Sequence, residues 1–365
     1  MDLNLPPELE TLHEEAVRFA IEWARDREIL EDSWVVGFSD AFNLALAERG
    51  WVGMTWPLEY GGGGRSDLER TIVAEALISH GAPLAGIWIC DRQIGPVLLQ
   101  FGTEEQKVRW LPDMVAGRSR WCIGMSEPDA GSDVASIKTS AERQGDKFVV
   151  NGQKIWTSGA AYADWCYLIC RTDASAKAHE GLSELIVDMR SPGIEVRPIR
   201  DATGDTHFCE VFFDQVVVSA ENLIGQPNQA FRQTMRQLEH ERGGIDRLVS
   251  NQAIYRLALA EADTDDPLIR QWIGALESKY AIGRDMVLRN VLRQAPPGYS
   301  SVTKVFCTEF EQEVADFAAE VFGMTSVLQN RVSRAMVYAP AYTIQGGTGS
   351  VLRNVIAERV LGLPR

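Results

Sequence analysis

Residues 147–160, KFVVNGQKIWTSGA, decide how the chain is read. Phe148-Val149-Val150 and Lys154-Ile155-Trp156 flank Asn151-Gly152, and strand-forming runs on either side of an Asn-Gly pair predict a β-hairpin. Downstream, Trp165 to Arg171, Leu185 to Asp188, Ile194 to Arg197 and Phe208 to Val218 read as further short strands, with Gly and Pro between them. Short strands without intervening helices predict an antiparallel β-domain. On both sides the period lengthens. Leu9, Leu12, Ala16, Phe19, Ala20 and Trp23 recur at three- and four-residue steps, a helical stripe that starts after Pro6 and Pro7. Gly61 to Gly64 break the pattern as a plain loop, because no strand feeds them and no Lys-Ser/Thr follows. From about 226 the chain reads as helical again, broken at Pro296-Pro297-Gly298 and at IQGGTGS (344–350). The expected class is α+β: an N-terminal helical domain (1–118), a middle β-domain (119–225) and a C-terminal helical bundle (226–365).

Composition excludes several function classes. The chain has 365 residues, with 36 Lys plus Arg against 51 Asp plus Glu, a net charge of -15. Non-specific nucleic-acid binding needs the opposite sign. No apolar run reaches the length of a membrane span, and the opening MDLNLPPELE is acidic, unlike a signal peptide. Cys90, Cys122, Cys166, Cys170, Cys209 and Cys307 form no CxxC pair and read as reduced thiols, which predicts a cytoplasmic protein without a disulfide frame or a zinc site. The five histidines show no metal-ligand spacing, so no metal is expected. Gly124-Met125-Ser126-Glu127-Pro128 falls short of a serine-hydrolase elbow because Pro128 stands where that motif needs Gly.

IGMSEPDAGSD (123–133) is dense in small and hydroxylated residues, which lets backbone N–H groups approach a ligand; its plain reading is a turn between strands. Trp156-Thr157-Ser158-Gly159 sets an indole beside two hydroxyls, suited either to a planar ring or to the core. Together with FGTEEQKVRWLP (101–112), MSEPDAGSDVASIKTSAE (125–142), NGQKIWTSGA (151–160) and RNVIAERVLGLPR (353–365), these segments resemble the acyl-CoA dehydrogenase family of flavoenzymes, in the family's order.

The resemblance implies an acyl-CoA dehydrogenase-like fold with a C-terminal four-helix bundle and FAD between that bundle and the β-domain. By position it implies that Met125 and Ser126 meet the flavin ring, that Trp156 flanks it and that Ser158 reaches its N5/O4 edge. Gly131 and Ser132 would lie near the pyrophosphate and, for Ser132, the substrate's pantetheine arm. Thr348 would lie near the ribose or pyrophosphate. The implied reaction is α,β-dehydrogenation of an acyl-CoA thioester, with an electron-transfer flavoprotein as acceptor.

Two departures qualify this. Most members carry the catalytic Glu just before the Gly-Thr that aligns with Gly347-Thr348, whereas this chain has Gly346. Either the chain is a non-catalytic subunit, or the base comes from elsewhere. Some members carry it before an Arg on the first long helix of the C-terminal domain, which corresponds here to Glu241 before Arg242. Glu239 is the fallback, and an ion-pair role for Glu241 is the plain alternative. Gly346 keeps a backbone N–H for the thioester oxygen, Arg242 would border the substrate, and the missing side chain would leave room for a bulky or steroid side-chain acyl group. The second departure is in the FAD clamp that homotetrameric members take from a neighbouring subunit: here those sites read Asp265-Asp266-Pro267-Leu268 and Glu320-Val321-Phe322-Gly323-Met324, without the usual donors. That implies a homologous partner subunit in an α2β2 assembly; a homodimer or homotetramer with altered contacts, and an oxidase of the same fold, stay open.

Overall fold

The computed structural model describes residues 5–25 and 32–364, with the side chains of residues 236–241 excepted. Two compact units emerge. One comprises Phe38–Gly64 and Leu84–Gln237; the other comprises Met1–Gly37, Arg65–Pro83 and Leu238–Arg365.

The first unit carries every strand described. These are β1 (Trp121–Gly124), β2 (Ser140–Gln144), β3 (Lys147–Lys154), β4 (Trp165–Arg171), β5 (Leu182–Asp188), β6 (Ile194–Ile199), β7 (Phe208–Ser219) and β8 (Leu223–Ile224). They form one sheet in the order β6-β7-β3-β2-β4-β5-β8, with β1 beside β4. Most neighbours are antiparallel; β1–β4 and β2–β4 are parallel. Val150, Cys166, Leu168, Leu185, Val211 and Val216 pack in one core cluster, while β4 and β5 are buried on both faces.

One sequence expectation is corrected here. Asn151-Gly152 is not a hairpin turn: β3 runs through it, and the reversal lies at Gly145-Asp146, between the paired Gln144 and Lys147. Gly152 instead marks a bulge, where the register with β7 shifts after Val150. Glycine is needed there because a Cβ would stand 2.5 Å from Thr139 Oγ1. The Asn151 carboxamide oxygen accepts the Gln215 N–H (2.9 Å) across the bulge instead of closing a turn.

The helix Glu104–Val115 also belongs to this unit and opens with a capping box between Thr103 and Gln106. Trp110 on it packs against Trp121 of β1 and Trp165 of β4, with ring centroids 6.3 and 5.9 Å apart. This aromatic knot fixes the start of β1; the 125–139 loop departs from its other end, after Gly124.

The second unit is helical. Pro7–Ala24, with Ala16, Phe19 and Ala20 buried as the stripe predicts, packs on Asp67–Ile78. The helices Gln252–Glu261, Pro267–Val291 and Arg331–Tyr342 surround Tyr299–Phe322, whose buried side chains include Cys307, Phe310, Val314 and Phe317. The short helix Gly349–Val355 packs on the same central helix.

Candidate active site

The sequence-predicted residues fall into two sets, one in each unit. In the sheet unit, β1 delivers Met125 and Ser126. Their loop is bound to β3 from below. The Lys154 ammonium, wholly buried, donates to the Met125 carbonyl (3.0 Å) and to Glu127 Oε1 (2.8 Å). The Glu127 carboxylate also accepts the N–H groups of Lys138 (2.7 Å) and Thr139 (2.8 Å), which ties both ends of the loop together. Burial pushes the Glu127 carboxyl up, but the Lys154 charge and these donors outweigh it and hold it below the usual carboxylate range. Burial draws Lys154 down, opposed by Glu127. The result is a closed ion pair that leaves Ser126 half-buried above it. Neither Glu127 nor Lys154 stood among the expected site residues; both lie inside the quoted motifs, but nothing in the sequence says that they meet.

Trp156 follows β3 with φ +59°, a left-handed backbone that costs a bulky residue about 1–3 kcal/mol. The neighbours impose it: the Ile155 N–H donates to the Ser126 carbonyl (2.9 Å), and the Thr157 N–H donates to the Cys209 carbonyl (3.0 Å) on β7. The chain must turn between these two bonds. Trp156 stays 54% exposed; its ring meets Phe208 edge-on at 5.7 Å. Phe208 in turn packs on the buried His207 at 3.9 Å, a support without a signature in the sequence. Gly131 and Ser132 are exposed, and no atom lies within 4 Å of a Cβ placed on Gly131. The hydroxyls of Ser126, Ser132 and Ser158 have no hydrogen-bond partner among the described residues. An open indole surface with three free hydroxyls and an unobstructed glycine fits a planar, hydrogen-bonding cofactor such as FAD.

In the helical unit, Gly346 and Gly347 form a tight turn with φ of +69° and +104°. Arg242 Nε donates to the Gly346 carbonyl (3.2 Å), and Lys304 Nζ donates to the Gly347 carbonyl (2.8 Å). Thr348 N-caps the helix Gly349–Val355, its hydroxyl accepting the Val351 N–H (3.3 Å). The N–H groups of Gly346, Gly347 and Thr348 donate to no group among the described residues. Arg247, buried against Asp246 (3.2 Å) and over the Trp34 ring (5.6 Å), completes the surroundings. Glu241 ends the helix Ala230–Glu241; its side chain and that of Glu239 lie outside the described residues.

The expected room beside Gly346 is corrected: a Cβ there would stand 2.9 Å from Arg247 Nη2, so a guanidinium takes up that space. Arg247 and Lys304 were missed in the sequence because isolated cations in helical segments ordinarily read as solvated.

At the two clamp positions the structure offers acceptors. The Asp266 carboxylate accepts the Leu268 N–H (2.7 Å) as the N-cap of Pro267–Val291, and Glu320 lies in the last turn of Tyr299–Phe322.

Deeper in the helical unit, Asp32, Ser250, Glu311, Arg334, Tyr338 and Tyr342 line a small cavity. Burial pushes the Glu311 carboxyl up to about 8, although Ser250, Asn251 and Arg247 favour the charged form. Glu184 in the sheet unit is pushed up to about 7 by burial. A carboxyl whose folded pKa exceeds its unfolded value of 4.5 keeps its proton in the folded state after the unfolded chain has lost its own. Stability therefore falls as pH rises from 4.5 to about 8. Glu311→Gln is expected to flatten that fall in the urea midpoint over the same window; a decline as steep as wild type would show that Glu311 is ionised in the fold.

Comparison with known proteins agrees across the chain. The acyl-CoA dehydrogenase N-terminal, middle and C-terminal domain models match residues 6–118, 122–216 and 228–361. Acyl-CoA dehydrogenase IpdE1 of Mycolicibacterium smegmatis is 37% identical over 353 residues, covering 89% of this chain and 88% of the relative. Among solved structures, the Tcur3481-Tcur3483 steroid ACAD matches with TM-score 0.89 at 29% identity, over 100% of both chains. The ChsE4-ChsE5 complex from Mycobacterium tuberculosis matches with TM-score 0.87 at 30% identity, also over 100% of both. The chain belongs to the acyl-CoA dehydrogenase family and is an FAD-dependent oxidoreductase.

Proposed function

We propose that the protein catalyses α,β-dehydrogenation of a bulky, steroid-derived acyl-CoA, with Glu241 as the base. The observation that carries this reading is the Arg242–Gly346 hydrogen bond, which joins residues 104 positions apart. The family's usual place for a carboxylate holds glycine, and the residue that touches this glycine is the immediate neighbour of the alternative carboxylate. The solved relative named as a steroid ACAD supports the substrate class.

In this mechanism Glu241 takes the α-proton. The thioester oxygen, negative in the enolate, is received by the free Gly346 N–H, and a fixed donor in a dry site stabilises such charge far more than water does. Arg242 borders the substrate and holds the turn. Bound FAD would supply the two-electron acceptor for the β-hydride, with an electron-transfer flavoprotein as the partner that would take the electrons on. Met125, Ser126, Trp156 and Ser158 would hold its ring, Gly131, Ser132 and Thr348 its ribose and pyrophosphate, and Ser132 would also meet the pantetheine arm of the substrate.

The acidic clamp positions support a homologous partner subunit, in α2β2 form, that completes the FAD site. Met324, Val327 and Leu328 are apolar, lie within five positions and are exposed, Met324 to 83%, which suits a surface covered by a subunit.

The test is anaerobic flavin bleaching by straight, branched and steroid side-chain acyl-CoAs, on the chain alone and co-expressed with a homologous subunit. Bleaching by the steroid class is expected, and only after co-expression if the FAD site is shared. A flavin-free protein inert in both forms would make it a non-catalytic subunit; fast reoxidation by O₂ with product bound would make it an oxidase. Trp156→Ala is expected to weaken FAD binding about 5- to 150-fold, the range that 1–3 kcal/mol of stacking on an aromatic ring corresponds to. Unchanged affinity and flavin spectrum would remove the indole from the cofactor site.

A further inference from the structure

This inference rests on the proposed reaction and concerns Lys304. Its side chain is fully buried in the second turn of the helix Tyr299–Phe322. A buried ammonium is costly, and here two guanidiniums add to the cost. Burial first, then repulsion from Arg247 and Arg242, brings the group down to about 7, with Glu309 acting the other way. Lys304 makes no ion pair among the described residues. Its side-chain hydrogen bond goes to the Gly347 carbonyl at 2.8 Å. A methionine would fill the same core space without the penalty, so the ammonium is explained by that bond.

The bond is one of a pair. Arg242 holds the Gly346 carbonyl, and Lys304 holds the next one. In a trans peptide the C=O and N–H point in opposite directions. Holding the two carbonyls therefore turns the Gly347 and Thr348 N–H groups the other way and polarises them. Two consecutive glycines have wide conformational freedom, so a turn made of them needs such anchors to keep one geometry.

We propose that Lys304 is a positioning residue: by gripping the Gly347 carbonyl, as Arg242 grips the Gly346 carbonyl, it fixes the glycine turn that carries the free Gly346 N–H, which lies in the preceding peptide and receives the thioester oxygen. It touches neither substrate nor cofactor.

The experiment uses the yellow holoprotein with its partner subunit, as wild type, Lys304→Met and Lys304→Gln. Anaerobic stopped-flow bleaching gives the limiting rate and the apparent Kd for the acyl-CoA; amide hydrogen exchange of peptides covering 343–352 reads the turn without turnover. Lys304→Met is expected to lower the limiting rate about 10²-fold, the cost of displacing a catalytic donor by about an ångström, with little change in Kd. Exchange at the turn is expected to quicken, and Lys304→Gln, which keeps a donor, is expected to recover part of both. Wild-type limiting rate and exchange in Lys304→Met overturn the proposal, as does a loss confined to Kd. If Lys304→Met does not fold, Lys304→Gln decides: a slower rate with faster exchange supports the role, and wild-type values overturn it. If wild type bleaches with no acyl-CoA, the reaction assignment fails instead, and the exchange arm still reports whether Lys304 holds the turn.

Discussion

Glu241→Gln is expected to lower the rate of anaerobic flavin bleaching by about 10²–10⁴-fold, the usual contribution of a positioned general base. The amide keeps the shape and cannot take the α-proton, so FAD content and acyl-CoA binding should stay close to wild type. The placement of Arg242 supports this. Its guanidinium reaches the Gly346 carbonyl, which sets the chain next to Glu241 beside the turn where most relatives carry their carboxylate. Gly346→Glu is not expected to rescue the variant. A side chain at 346 would start 2.9 Å from Arg247 Nη2 on a backbone with φ +69°, and its carboxylate would be drawn to that cation. A bleaching rate in Glu241→Gln equal to wild type would exclude Glu241 as the base and turn attention to Glu239.

Lys154→Met is expected to destabilise the protein by about 3–5 kcal/mol, the cost of leaving one member of a buried ion pair alone. The Glu127 carboxylate would lose its charged partner at 2.8 Å while remaining buried, and the Met125 carbonyl would lose its donor. The urea midpoint should fall accordingly. Adding Glu127→Gln should restore part of the loss, because it removes the buried unpaired charge; only part, because the N–H groups of Lys138 and Thr139 bond different oxygens and a glutamine keeps one of the two. A single Lys154→Met variant as stable as wild type would mean that Glu127 is protonated or solvated in the fold. The same pair holds the loop that carries Ser126, so loss of stability and loss of FAD should go together.

Strand and helix placement was legible where the apolar pattern is strong. The run Trp165 to Arg171 is β4 as read, a short apolar stretch buried on both faces, and the stripe through Ala16, Phe19 and Ala20 is the buried face of Pro7–Ala24. The Asn151-Gly152 reading failed because two different demands select the same glycine. A type I′ turn wants φ > 0, and a bulge pressed on Thr139 wants no Cβ. Only the neighbour across the sheet distinguishes them.

The sequence by itself determined the α+β order of elements, the family-like motifs at 125–142 and 151–160, and the missing carboxylate at 346, since these are properties of residue identity and local period. Tertiary structure alone decided which charges act on the site. Lys154 with Glu127, and Lys304 and Arg242 with the 346–347 turn, are partners separated by 27, 43 and 104 positions. No local pattern encodes such separations. A lysine reads as solvated until the fold buries it, and burial is what turns a common surface charge into a fixed donor.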